Sequence, residues 1–288
     1  MKIKILRVNA FTDSEKGGNP AGVLVDSPNL TAKQMAFVTE KLKVSETAFV
    51  FPSDKADYKV FFYTPAIEVE LCGHATIATF YTMASKGLLS KNRITQETKA
   101  GILPVDVHHN LDGSVEKVMM TQGKSISKDM SLDIFNVAAS LKISPDDIDT
   151  TLPCQAVSTG LFTLPICVKS FDILKNMKPD FNKIEKICNK NNFGSFHVFT
   201  LDTKEPDSTY HARNFAPVYG INEDPVTGTA NGAVCSYLLK NGIIKGNNFV
   251  CEQGDIIGRP GRVHVEITED VVKVGGIAKI VEEVEINL

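Results

Sequence analysis

A chain of 288 residues has room for two domains and for a sizeable core in each. Its 34 acidic and 31 basic side chains nearly cancel, which excludes the basic footprint of a nucleic-acid binder and the bias of an acidic tail. Hydrophobic residues make up 43% and charged ones 23%, as in an ordinary globular protein, and no apolar run reaches the ~18 residues of a membrane span.

The chain opens Met1-Lys-Ile-Lys-Ile-Leu-Arg7, too charged for an export signal, and residues 2–8 read as a strand. A helix follows from residue 32, with Thr31 as N-cap, Gln34 closing a capping box, and Met35, Val38 and Leu42 on one face. The β-branched and aromatic runs 47–51 and 58–63 predict strands. Residues 75–85 are small and apolar almost all round, the pattern of a buried helix. Strands are expected at 102–109 and 115–121, then helices at 132–141 and 181–190, with strands at 161–168 and 195–201. A second small-residue helix at 229–241 precedes strands near 248–252, 262–267, 271–275 and 280–286. The expected class is α+β, mostly antiparallel. The polar stretch 122–130 marks the junction between an N-terminal domain, 1–121 completed by 277–288, and a C-terminal domain, 122–276.

Six cysteines occur without a C-x-x-C pair, so no structural zinc site is expected; free thiols suit a reducing, cytoplasmic setting.

Two segments resemble each other, 62–87 and 214–242. Each reads as an aromatic strand, an acidic loop, a glycine, a small-residue helix and a closing glycine. Gly73 and Gly87 stand 14 positions apart, as do Gly228 and Gly242. Such a repeat suggests two similar domains. A glycine at a helix start lets a ligand approach unpaired N–H groups carrying a partial positive charge, a place for a carboxylate or an enolate; simple tight packing is the alternative.

Three side chains stand out for proton chemistry. His74 follows Cys72-Gly73 at the first helix start, where it can move a proton or merely cap the helix. Asp224, in Glu223-Asp-Pro-Val-Thr-Gly-Thr229, precedes the second start and also suits a loop acid. Glu46 enters the apolar run Thr-Ala-Phe-Val. It is either the surface position of an alternating strand or a carboxylate drawn into an apolar cleft for acid/base work. Ser158-Thr-Gly160 offers hydroxyls and backbone to a carboxylate, or a plain turn. Dinucleotide, P-loop and nucleophile-elbow spacings are absent.

Taken in order, Gly18-Asn-Pro-Ala-Gly-Val23, Ser45-Glu-Thr-Ala-Phe49, Leu71-Cys-Gly-His-Ala-Thr76, Ser158-Thr-Gly160, Arg213-Asn-Phe-Ala-Pro217, Glu223-Asp-Pro-Val-Thr-Gly-Thr-Ala230, Gln253-Gly254 and Gly258-Arg-Pro-Gly261 resemble the motifs of the PhzF-like proteins. These are relatives of the phenazine-biosynthesis isomerase with a diaminopimelate-epimerase-like fold. The resemblance implies two pseudo-symmetric domains, each a curved sheet around a central helix, with the active site in the cleft between them. It implies a homodimer that uses neither metal nor organic cofactor and acts on a small amino or hydroxy, possibly unsaturated cyclic, carboxylate. By analogy Glu46 would be the general acid/base, His74 and Asp224 would orient the substrate or shuttle protons, and Gly73 and Gly228 would bind its carboxylate. Asn19, Cys72, Ser158 and Thr229 complete the expected substrate contacts, Thr229 standing where the phenazine enzyme has serine. A metabolite-binding protein without catalysis is an alternative. So is a two-thiol epimerase, which the absence of a cysteine at the second helix start disfavours.

Overall fold

Alternating and β-branched runs build most of the chain into strands, in a computed structural model that describes residues 1–288. Backbone contacts divide it into two units, Met1–Thr121 with Gly275–Leu288, and Gln122–Val274.

The first unit runs β1 (Lys2–Ala10), β2 (Asn19–Leu24), α1 (Ala32–Leu42), β3 (Glu46–Phe51), β4 (Tyr58–Tyr63), β5 (Glu68–Val69), α2 (Gly73–Ser85), β6 (Arg93–Thr98), β7 (Gly101–His109) and β8 (Val115–Thr121). The second runs β9 (Ile126–Asp129), α3 (Ile134–Leu141), β10 (Gln155–Ser158), β11 (Thr163–Cys167), α4 (Phe171–Asn176), α5 (Phe181–Asn191), β12 (Ser195–Thr200), β13 (Tyr210–Ala216), β14 (Ile221–Asp224), α6 (Gly228–Lys240), β15 (Asn248–Gln253) and β16 (Gly261–Thr268). After β17 (Val271–Gly276), β18 (Ala278–Asn287) returns to the first unit and pairs antiparallel with β1, from Lys2↔Asn287 to Ala10↔Ala278.

Strand pairing repeats between the units. In the first, β1–β2 is antiparallel, β2–β3 parallel, β3–β4 and β4–β5 antiparallel, β4–β6 parallel and β6–β7 antiparallel. The same six pairings, in the same senses, recur as β10–β11, β11–β12, β12–β13, β13–β14, β13–β15 and β15–β16. The repeat read in residues 62–87 and 214–242 is therefore one of topology, with α2 and α6 in equivalent places. The sheets are mostly antiparallel, as expected. Each unit carries two parallel pairs, because α1 and α2 in one, and α4 with α5 and then α6 in the other, provide crossovers that hairpins cannot.

α2 packs against β1, β2, β3, β7, β8 and β18, so eight of its thirteen residues are buried. Two of its buried threonines fit because the Thr76 and Thr79 hydroxyls donate to the Cys72 and Ala75 carbonyls, at 2.8 and 2.7 Å. Ile77 and Phe80, both without exposure, anchor it at about 1.5–3 kcal/mol each. α6 packs against β10, β11 and β16, and there Gly232 has a steric reason to be glycine. A Cβ at that position would stand 2.7 Å from Val274 Cγ1.

Beyond the short strands β5, β6, β9, β10 and β14, two unexpected elements have a clear physical reason. Residues 19–24 form β2 despite Pro20 and Gly22, because pairing to β1 and β3 on both sides overrides these local breakers. α4 was not foreseen, being too short to show a period; Ser170 caps it through Ile173 N–H. Of the cysteines, five are buried and Cys154 is exposed, and none is in a disulfide.

In the second unit His211 and Glu252 form a fully buried pair, Nδ1 to Oε2 at 2.7 Å. Burial alone would raise the Glu252 carboxyl; hydrogen bonds from His211 and from the N–H groups of Lys204 and Glu205 outweigh it and pull the pKa from 4.5 down to about 2. A carboxyl depressed by folding adds stability above its unfolded pKa and loses it as pH falls towards the folded value. Stability is expected to drop as pH falls from 4.5 towards about 2, and Glu252→Gln should flatten that dependence. Urea midpoints through this window check it; parallel slopes for the two proteins would contradict it.

Candidate active site

In the first unit, β3 does not alternate. Thr47 to Val50 are all buried, so Glu46 enters a strand covered on both faces, and the surface-position reading fails. Its side chain is only 17% exposed and His74 only 13%. Glu46 is the parallel partner of Ala21 on β2, two positions from the buried Asn19. Glu46 Oε2 lies 3.4 Å from His74 Nε2, within ion-pair range but without the alignment of a hydrogen bond, and it has no other hydrogen-bond partner. Cys72 Sγ lies beside the same ring, 3.4 Å from His74 Nδ1 and 3.9 Å from Nε2. Glu46, Cys72 and His74 thus form one cluster at the start of α2, whose first residue is Gly73.

That start has a property shared only by α6. The N-caps of α1, α3, α4 and α5, namely Thr31, Asp133, Ser170 and Asp180, each accept a hydrogen bond from their own helix. Cys72 and Thr227, the N-caps of α2 and α6, accept none. Their side chains leave the first N–H groups of both helices to some other acceptor.

In the second unit, Thr227 is turned away from its own helix and donates its hydroxyl to Asp224 Oδ2 in a short hydrogen bond. Gln253, 1% exposed at the end of β15, fixes that arrangement. Its Oε1 accepts from Thr227 N–H at 3.1 Å and Asn231 Nδ2 at 2.8 Å. Its Nε2 donates to the Asp224 carbonyl at 2.9 Å and Thr227 Oγ1 at 3.1 Å. Because the amide can only donate to Thr227 Oγ1, the Thr227 proton points at Asp224, which is held as an acceptor. Gly254, which follows, has φ +88°, and a Cβ there would meet the Arg259 carbonyl oxygen at 2.2 Å. Thr159 Oγ1 donates to the Thr229 carbonyl at 3.2 Å, placing the Ser158 turn against the start of α6. Ser158 Oγ itself accepts from Gly160 N–H at 3.0 Å.

The structure therefore assembles Glu46, Cys72, Gly73 and His74 in one unit, and Asp224, Gly228, Thr229 and the Ser158 turn in the other. The sequence attached no role to Thr227, Asn231 or Gln253, although Thr227 lies in the Glu223–Ala230 motif, Asn231 in the 214–242 repeat and Gln253 in the Gln253-Gly254 motif. Gln253→Ala is expected to cost about 1–3 kcal/mol, since it leaves the Thr227 N–H and one of the two Asn231 amide hydrogens without an acceptor. Hydrogen exchange localised to residues 227–231 checks this; unchanged protection there would refute it.

The sequence profile of the phenazine biosynthesis-like proteins, PhzC-PhzF, matches residues 8–284. The chain belongs to this family. A Bacillus subtilis member described as an uncharacterized isomerase, YfhB, is 36% identical over 279 residues, covering 96% of this chain and 93% of that one. The crystal structure of a Bacillus anthracis PhzF-family protein superposes with TM-score 0.92 at 33% identity, covering both chains fully. A hydroxyproline epimerase from Agrobacterium vitis shares the fold, with TM-score 0.63 at 13% identity, over 99% of this chain and 91% of that one. This PhzF-like protein is an isomerase with an epimerase-like fold. No helix in it is long and apolar enough to cross a membrane.

Proposed function

We propose that this PhzF-like isomerase moves a proton on a small amino or hydroxy carboxylate, unsaturated cyclic ones included, with Glu46 as general acid/base. What supports the reading is the buried Glu46 oxygen without a hydrogen-bond partner, beside His74 and an uncapped helix start. A carboxylate whose lone pair is not engaged is available to take a proton, and positioned N–H donors stabilise the anion that remains. In this proposal His74 relays or orients, Asp224 accepts a hydrogen bond from the substrate, and the N–H groups at Gly73 and Gly228 hold its carboxylate. Asn19, Cys72, Ser158 and Thr229 supply the remaining contacts, and the step uses protein groups alone. Homodimeric assembly and a cytoplasmic setting belong to the same proposal, carried by the family resemblance and, for the compartment, by the free thiols.

The test is proton exchange in D₂O followed by NMR, with dihydro-hydroxyanthranilate and a panel of small unsaturated, amino and hydroxy carboxylates. Deuterium entering at one carbon is the expected result. Binding without exchange at any carbon would favour a silent metabolite-binding protein. Exchange that survives Glu46→Gln but not Cys72→Ala would favour thiol chemistry.

A further inference from the structure

Glu46, Cys72 and His74 offer a carboxylate oxygen, a sulfur and an imidazole nitrogen, all within 4.8 Å of one another. Around a tetrahedral zinc ion, with bonds of about 2.0–2.3 Å, neighbouring donor atoms stand roughly 3.3–3.7 Å apart. Here His74 Nε2 is 3.4 Å from Glu46 Oε2 and 3.9 Å from Cys72 Sγ. Movements of a few tenths of an ångström bring the nitrogen into that range with both. Glu46 Oε2 breaks no hydrogen bond in turning to an ion, because it makes none. Cys72 stands at the N-cap of α2, and binding a metal there would displace its thiol proton. The helix start would repel a bare cation, but two anionic donors neutralise a divalent one.

We propose that Glu46, Cys72 and His74 form a three-donor site for a thiophilic divalent cation of the zinc class, with the fourth position open to solvent or substrate. The mixed sulfur–nitrogen–oxygen set selects against magnesium and calcium, which take oxygen donors. An ion bound there engages the Glu46 lone pair. The site therefore makes zinc an inhibitor of the isomerase, a consequence that rests on the acid/base reading of Glu46, whereas binding itself does not.

The test uses the full-length protein freed of metal by a chelator, with Co²⁺ as probe. One equivalent should produce thiolate-to-cobalt charge-transfer absorption that one equivalent of Zn²⁺ removes. Cys72→Ser should abolish the band, and His74→Gln and Glu46→Gln should weaken Co²⁺ binding, each variant first shown to be folded by circular dichroism. Cys154→Ser, which removes the exposed thiol, should leave the band intact. A wild-type protein without the band, or a band that survives Cys72→Ser, overturns the site. D₂O exchange on chelator-treated protein separates the two readings. Exchange without cobalt binding overturns the metal site and leaves the acid/base role, and cobalt binding without exchange does the reverse.

Discussion

Glu46→Gln is expected to lower proton exchange on a verified substrate by about 10²–10⁴-fold, the usual loss when a working acid/base is removed. The substitution keeps shape and removes only the ability to carry the proton. Because Glu46 Oε2 has no hydrogen-bond partner, no network collapses with it, so folding stability should change little. That separation makes the result readable, since a rate loss with an unchanged urea midpoint points to chemistry. KM should move less than kcat if Glu46 acts mainly in the transition state. A variant that exchanges at the wild-type rate would remove Glu46 from the reaction. His74→Gln makes a useful companion. If the imidazole only orients Glu46, the loss should be smaller than for Glu46→Gln, and the double variant should be no worse than Glu46→Gln alone.

How much of this was legible in the sequence depended on distance along the chain. α2 and α6 were readable because small and apolar residues surround each helix, and because a glycine opens each. The Thr31 capping box was readable because both partners lie within three residues. Cys72 and His74 adjoin, so their meeting needed no tertiary knowledge. Glu46 was ambiguous, because a glutamate before an apolar run suits a half-exposed strand equally well. Only the two-sided burial of β3, produced by its place between β2 and β4, decides against that. Gln253 was opaque for the same reason. Its partners lie 22 to 29 positions away and reach it through the parallel pairing of β15 with β13, which local pattern does not encode. The family motifs identified the chain without explaining such residues.

Arg213→Met is expected to destabilise the fold by about 3–5 kcal/mol, because it strands a paired carboxylate. Arg213 side-chain exposure is 8% and that of Glu223 is 14%. The guanidinium grips Glu223 with two parallel bonds, Nε to Oε1 at 2.9 Å and Nη2 to Oε2 at 2.8 Å. Its Nη1 donates to the carbonyls of Leu174 and Met177, at 3.0 and 3.2 Å, closing the C-terminal end of α4. The plane also lies over Phe215, 5.0 Å from the ring centroid. One side chain therefore ties β13, β14 and α4 together. Methionine fills the volume but leaves one carboxylate and two carbonyls without their donor. Lysine keeps the charge yet cannot make the two-pronged bond, so Arg213→Lys should fall between. Removing the carboxylate as well, in Arg213→Met with Glu223→Gln, should recover part of the loss, and a double-mutant cycle by urea denaturation measures that coupling. A loss below about 0.5 kcal/mol for Arg213→Met, the range of an ordinary surface change, would refute the argument. Glu223 directly precedes Asp224 on β14, so the pair also holds the strand that presents Asp224 to Thr227. If it does, exchange should fall in Arg213→Met at temperatures where the variant is still folded.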